Sequence, residues 1–305
     1  MRRRSRYLAV VLAIAVVAVL LFTFIASGAG TQLSSSISSL MTGGQRPTPP
    51  PGPVPTYVIL VHGFDPAVYP ATFWTYGDNM YGQLVKAGYI VGIVSYYGEF
   101  TLTLSNGVKF TDSSFYGTMD TPIQSVGQEV GVGLKHVLPQ TQVNLDIVGH
   151  SMGGLVTMSM LENTKIAHVT LRNIVYLASP LNGAPLSAMS YYVNMSGYEA
   201  VEMEQGSPFL TQLAANTNNI SAQYPSAQTL VYAGDANPIW AASTFGGPND
   251  GLVSVASDTH TAYSHSYEFP DLHMPSLDFY DIGFVSYFED QKVTNELLSN
   301  FAGHY

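Results

Sequence analysis

The sequence predicts an α/β fold with a mainly parallel sheet and helices on both of its faces. Two observations predict it. First, short apolar runs typical of buried strands alternate with longer runs typical of helices from Thr56 onwards. Second, the apolar run Val143–Val148 leads into a glycine-rich turn and then into a helical run, Leu155–Leu161, as in a parallel βα unit. With 46% hydrophobic residues among 305, the chain can form one large core.

The predicted elements alternate along the chain in the order that this class requires. Strands are predicted over Tyr57–Val61, Tyr89–Tyr97, Val143–Val148, Asn173–Ala178 and Leu230–Ala233, with a shorter one over Tyr263–Phe269. Helices are predicted over Trp74–Ala87, Ile123–Leu138, Leu155–Leu161 and Asn295–Phe301. Alternating residues on either side of Asn106 and Gly107 predict a hairpin at the edge of the domain.

A long segment separates two of these strands. Pro180–Gln228 far exceeds the usual length of a connection in a compact domain. We therefore predict an inserted lid over about residues 181–228, above the carboxyl edge of the sheet. Its methionine and tyrosine side chains would suit an adaptable apolar pocket. An ordinary helical packing unit is the alternative.

The N-terminus has the pattern of a membrane-spanning segment. Four arginines between Arg2 and Arg6 precede a nearly unbroken apolar run to about Ala26, long enough to cross a bilayer. Basic residues on this flank keep it in the cytoplasm, so the rest of the chain would lie outside. We predict a single-pass signal anchor over residues 1–27. The alternative is a cleaved signal peptide and a secreted protein, since small residues follow Ala26.

A linker is predicted over residues 28–55. Thr31–Gly44 is rich in serine, glycine and threonine, and Pro47–Pro55 is rich in proline. The first composition is typical of a flexible tether and the second of a stiff spacer. We therefore expect one folded domain over residues 56–305, held at a distance from the membrane.

Composition excludes some functions. Outside residues 1–27 the chain has 7 basic and 21 acidic residues, a net charge of −14. Such a surface does not favour nucleic acid as a partner. There is no cysteine, so neither a disulfide nor a thiolate metal site can form.

The turn after Val148 carries the strongest chemical signal. Gly149, Ser151 and Gly153 fit the G-x-S-x-G pattern of a nucleophile elbow. A serine on so tight a turn lies in a strained backbone conformation, and residues two positions away must lack side chains because of crowding. The turn would raise the Ser151 hydroxyl above the sheet edge. A glycine-rich turn of another doubly wound protein would leave this spacing unexplained.

A serine hydroxyl needs a base, and the base needs an orienting acid. With this elbow the chain order is serine, acid, histidine, so both partners should follow Ser151. Asp235 and Asp250 both follow the late strand, whereas Asp258 and Asp271 are less well placed. The candidate bases are His260, His265, His273 and His304. His273 lies just beyond the last short strand, where a loop at the carboxyl edge is expected.

Four segments together resemble the bacterial lipases and esterases of the α/β-hydrolase fold. They are Val61–Phe64, Gly149–Gly154, Gly206–Leu210 and Asn249–Val253, and they occur in the family's order. The resemblance extends from about Thr56 to the C-terminus.

This resemblance implies site residues. It implies Asp250 as the acid, His273 as the base, and the backbone N–H groups of Phe64 and Met152 as an oxyanion hole. The larger members bind calcium through an aspartate two residues after the catalytic histidine, where this chain has Pro275. We therefore expect no metal site and no cofactor.

The expected function is that of a serine carboxylic-ester hydrolase, a lipase or carboxylesterase acting on acyl esters or lipids through an acyl-enzyme. One alternative class is a non-catalytic surface protein that binds ligands on a hydrolase scaffold, because fold alone does not imply function. An acyltransferase, an amidase or a polyester depolymerase is the other alternative.

Overall fold

The computed structural model describes residues 54–64, 70–75, 80–185, 197–238, 241–259, 265–273, 287 and 290–303. The predicted anchor and all but the end of the predicted linker lie outside these residues. Among the residues described, no helix combines the length and hydrophobicity needed to span a membrane.

An eight-stranded sheet forms the centre of the domain, in the order β4-β3-β2-β1-β5-β6-β7-β8. Six strands are parallel to one another. At one edge β3 pairs antiparallel with β2, and β4 pairs antiparallel with β3. The strands are β1 (Thr56–Val61), β2 (Ile90–Ser95), β3 (Gly98–Leu104), β4 (Lys109–Gly117), β5 (Val143–His150), β6 (Val169–Leu177), β7 (Gln228–Gly234) and β8 (His265–Phe269). The predicted fold class is confirmed, and so is the hairpin around Asn106 and Gly107.

Helices cover both faces of the sheet. They are α1 (Met80–Lys86), α2 (Ile123–Val137), α3 (Met152–Asn163), α4 (Tyr198–Glu202), α5 (Pro208–Gln223), α6 (Ala242–Phe245), α7 (Val255–Asp258) and α8 (Gln291–Ala302), with a 3-10 helix over Pro70–Thr75. Of the predicted helix Trp74–Ala87, Trp74 and Thr75 belong to the 3-10 helix and Met80–Lys86 forms α1, while residues 76–79 lie outside the described residues.

The central strand β1 shows how the two faces are filled. All six of its residues are buried. Tyr57, Ile59 and Val61 pack into one hydrophobic cluster with α2, α3 and α5, and Val58 and Leu60 pack into a second cluster with α1 and α8. Successive side chains of a strand point to opposite faces, so a strand between two helical layers is apolar at nearly every position.

The described part of the predicted lid segment contains α4 and α5. Ser207 caps α5, since its Oγ accepts a hydrogen bond from Leu210 N at 3.1 Å, and Pro208 follows at the first helical position. Leu210, Leu213 and Ile220 belong to the main core. This helix is thus a packing element. Residues 186–196 lie outside the described residues, so the lid itself stays a prediction.

Candidate active site

Ser151 lies alone between β5 and α3. Strand β5 ends at His150 and helix α3 begins at Met152. The backbone of Ser151 has φ 55° and ψ −130°, a conformation that residues other than glycine rarely adopt. Such strain persists only where the surroundings enforce it, and it is concentrated at functional sites. Here β5 and α3, both almost fully buried, enforce it.

Crowding explains the two glycines of the elbow. A Cβ on Gly149 would lie 2.5 Å from the carbonyl oxygen of Gly153. A Cβ on Gly153 would lie 2.3 Å from the carbonyl oxygen of Val61, on the neighbouring strand. Both distances are far below van der Waals contact with backbone atoms that cannot move aside. The Gly-x-Ser-x-Gly spacing is therefore a steric requirement of this turn.

The structure brings together three of the predicted site residues. His273 Nε2 lies 2.9 Å from Ser151 Oγ, and His273 Nδ1 lies 2.7 Å from Asp250 Oδ2. The side chains of His273 and Asp250 are 2% and 0% exposed, so water does not weaken their interaction. In the neutral tautomer whose Nδ1–H donates to the carboxylate, Nε2 carries no hydrogen and can accept from the serine hydroxyl.

Asp250 is held by donors on both of its oxygens. Oδ1 accepts hydrogen bonds from Leu252 N at 2.9 Å and from Val253 N at 2.7 Å. Oδ2 accepts from His273 and, at 3.4 Å, from the hydroxyl of Tyr287. The turn that makes this possible passes through Gly251, with φ 99°. The carboxylate therefore has one fixed orientation, with Oδ2 directed at the base.

The predicted oxyanion segment lies beside the serine. A Cβ on Gly63 would lie 2.6 Å from Ser151 Cβ and 3.1 Å from Ser151 Oγ, so the backbone at Gly63 lies against the nucleophile. The hydroxyl of Tyr96 donates to His62 O at 2.5 Å and fixes this turn. The His62 ring stacks on Tyr96 with centroids 3.9 Å apart, and burial lowers the pKa of His62 to about 4. His62 is thus a neutral packing residue at neutral pH.

Two of the competing candidates, Asp235 and His265, have other partners. The side chain of Asp235 hydrogen-bonds Asn237, two residues along the chain. His265 is exposed, and its Nδ1 lies 3.0 Å from Gln228 Nε2 at the end of the sheet opposite to Ser151. His260 and His304 lie outside the described residues.

Two further carboxyl groups are buried near the site. Asp258 and Asp271 are both fully buried, and the carboxyl oxygens of Asp258 have no hydrogen-bond partner among the described residues. Burial raises the pKa of Asp258 well above its usual range, and the charge of Asp250 adds to this shift. Burial and the neighbouring Asp290 raise the pKa of Asp271 to about 8. In both groups the shift favours the neutral acid.

Sequence reasoning missed two neighbours of the array formed by Ser151, His273 and Asp250. His150 hydrogen-bonds the carbonyl of His273, and Tyr287 hydrogen-bonds Asp250. His150 stands inside the elbow motif, which was the available signal. Nothing in the sequence around Tyr287 marks it. No three His, Asp or Glu side chains come together as a metal-binding group within the residues that the structure describes.

Comparison with known proteins agrees with this architecture. Residues 134–230 match a PGAP1-like alpha/beta domain. A metagenomic carboxyl esterase superposes with a TM-score of 0.51 at 15% identity, over 86% of this chain and 80% of the esterase. The chain has the α/β-hydrolase fold.

Two other solved structures give lower scores. The mature lipase BlEst2 of Bacillus licheniformis has a TM-score of 0.48 at 18% identity, over 77% of this chain and 94% of the lipase. The esterase RhEst1 of Rhodococcus sp. has a TM-score of 0.47 at 17% identity, over 81% and 90%. No curated protein sequence matches the chain.

The α/β-hydrolase fold accounts for the origin of each residue in the array. Ser151 follows the central strand β5, Asp250 comes after β7, and His273 comes after β8. These strands are parallel, so their carboxyl ends lie at one edge of the sheet. Residues 122 positions apart in sequence can therefore form the contact between His273 and Ser151.

Proposed function

We propose that this α/β hydrolase is a serine carboxylic-ester hydrolase, with acyl esters or lipids as substrates. In this proposal Ser151 is the nucleophile, His273 the general base and Asp250 the acid that orients it. The observation that carries it is the continuous set of hydrogen bonds from Asp250 Oδ2 through His273 to Ser151 Oγ, at 2.7 and 2.9 Å. These are the distances at which a base can take a hydroxyl proton.

The first half of the reaction forms an acyl-enzyme. His273 Nε2 takes the Ser151 proton while Oγ attacks the ester carbonyl carbon, whose π electrons move to the carbonyl oxygen. Backbone N–H groups of Phe64 and Met152 stabilise that oxyanion, each worth about 3 kcal/mol of barrier. The intermediate then expels the alcohol, which takes the proton from His273.

The second half releases the acid. Water gives a proton to His273 Nε2 and attacks the acyl carbon, and Ser151 leaves with that proton restored. Asp250 stabilises the imidazolium in both halves and holds Nδ1–H in place. A buried contact suits this role because the charge pair is not screened by solvent.

A fluorophosphonate probe tests the nucleophile. The intact protein should be labelled with one equivalent, and Ser151→Ala should remove both labelling and hydrolysis of short acyl esters. Ser159→Ala is the matched control, since Ser159 is a buried serine of α3 that lies in the layer beneath the site. Absence of labelling in the folded wild type would favour the alternative of a non-catalytic binding protein.

The substrate class is tested with esters of increasing acyl length and with matching amides. The proposal expects ester turnover to exceed amide turnover by orders of magnitude. The chain length at which turnover is greatest then separates a carboxylesterase from a lipase. Preferential transfer of the acyl group to an alcohol rather than to water would instead indicate an acyltransferase.

We further propose that residues 1–27 anchor the protein in the cell membrane with its hydrolase domain outside the cytoplasm. The support is the arginine cluster, the apolar run to Ala26 and the linker that follows. Intact-mass analysis of the native protein decides between the two possibilities. A mature N-terminus near Gly28 or Gly30, with protein in the medium, would indicate a secreted hydrolase.

A further inference from the structure

The backbone of the proposed base is held on both sides. The N–H of His273 donates to the carbonyl of Asp250 at 3.1 Å. The carbonyl of His273 lies 2.9 Å from Nε2 of His150. His273 follows the end of β8 and belongs to no helix or strand itself. These two bonds therefore take over the positioning that a regular element would provide, and they join the base to the acid and to the elbow.

The position and the burial of His150 suit it to this contact. It is the last residue of β5, it is 3% exposed, and its peptide leads directly to Ser151. Because its partner is a carbonyl oxygen, Nε2 must carry the hydrogen and donate it. The indole of Trp74 packs edge-on against the ring, with centroids 6.4 Å apart. The hydrogen bond directs the Nε2–H of the buried ring at His273.

His150 also keeps its charge state beside a base that is proposed to be protonated. Its ring centroid lies 4.8 Å from that of His273. Burial, reinforced by His273, lowers the pKa of His150 well below its usual range. A neutral ring adds no positive charge to oppose the imidazolium that forms in the proposed reaction.

We propose that His150 is a positioning residue, whose Nε2–H holds the carbonyl of His273 so that the base stays within hydrogen-bond distance of Ser151. The inference rests on the proposed role of Ser151 as nucleophile and adds a function for the position before it. The elbow pattern requires only glycine and serine, so the steric argument does not explain a histidine here. The hydrogen bond to the carbonyl of His273, 123 positions away, does explain it.

Three variants of the full chain distinguish a side chain that donates a hydrogen bond from one that only fills space. The side-chain nitrogen of glutamine reaches about as far as Nε2, that of asparagine only as far as Nδ1, and phenylalanine keeps the ring without a donor. His150→Asn and His150→Phe should lower kcat and the rate of fluorophosphonate labelling about 10- to 100-fold, as a displaced catalytic group does. KM should change little. His150→Gln should recover most of the loss.

Trp74→Phe is the control for packing, because it trims the contact to His150 and keeps the donor. Circular dichroism and the melting temperature establish which variants fold. If His150→Phe does not fold, the comparison of His150→Gln with His150→Asn decides the question. Wild-type labelling rates in folded His150→Asn would overturn the inference. Equal losses in His150→Gln and His150→Asn, or in Trp74→Phe and His150→Asn, would also overturn it. Failure of the proposed function is separate, since it would appear as unlabelled wild type or labelled Ser151→Ala.

Discussion

Replacement of Asp250 by asparagine tests the proposed array most directly, because it replaces one oxygen by an NH₂ group and changes almost no volume. Oδ1 of Asp250 accepts from two backbone N–H groups, at 2.9 and 2.7 Å. An asparagine must keep its oxygen there, since the reverse orientation would place an NH₂ group against two donors. The NH₂ group then faces Nδ1 of His273.

This orientation reverses the tautomer of the base. The amide donates to Nδ1, so the ring hydrogen moves to Nε2, which lies 2.9 Å from Ser151 Oγ. Nε2 can then no longer accept the serine proton. The charge that would stabilise the imidazolium is also lost from a contact of 2.7 Å. Known triads lose about 10⁴ in turnover from this change, which equals about 5.5 kcal/mol of barrier.

The assay is kcat for a soluble acyl ester, with the rate of fluorophosphonate labelling measured in parallel. Asp235→Asn is the matched control, since Asp235 also follows β7 but bonds Asn237 instead of the base. Asp235→Asn should retain most of its activity. A loss of less than about 10-fold in folded Asp250→Asn, or equal losses in the two variants, would refute the reasoning.

Three further predictions concern the base, a buried acid and a buried ion pair. His273→Ala should abolish ester hydrolysis and His265→Ala should leave most of it, because His273 contacts Ser151 whereas His265 contacts Gln228. Activity in His273→Ala but not in His265→Ala would show that the base is misassigned. Asp258→Asn should gain free energy of unfolding relative to wild type as pH rises above about 4, because the unfolded chain ionises Asp258 near pH 3.9 while the raised pKa of the folded state opposes its ionisation there. Urea unfolding at several pH values measures this difference, and a difference that does not vary with pH would contradict it. Asp146→Ala should lower the free energy of unfolding by about 3–5 kcal/mol, because it leaves the buried Arg172 guanidinium without its carboxylate; a loss below about 1 kcal/mol in the same urea assay would contradict this.

The elbow could be predicted from sequence because its signal is steric and local. Gly149 and Gly153 are required by contacts within a few residues or with the adjacent strand, so their spacing carries the information. The strand β1 could be predicted for a similar reason, since burial on both faces demands an unbroken apolar run.

Tertiary contacts account for what the residues alone did not determine. Asp235 and Asp250 both follow β7, and nothing in their order distinguishes them; the family resemblance favoured Asp250. The structure shows that the backbone donors of Leu252 and Val253 fix the orientation of Asp250. The burial of Asp258 and Asp271 was not foreseen, because carboxyl groups are ordinarily exposed.

The array at the carboxyl edge has a consequence for the order in which the molecule can gain its activity. Strands β1 to β5 bring the serine turn together with the oxyanion segment, but β7 and β8 must dock before Asp250 and His273 reach it. The contact between His273 and Ser151 closes a loop of 122 residues. Such long-range contacts form late, because the chain loses the entropy of loop closure before the contact can stabilise the fold. A nascent chain that has completed the elbow therefore exposes an unactivated serine. If the array acts as proposed, hydrolysis begins only when the last strand has joined the sheet.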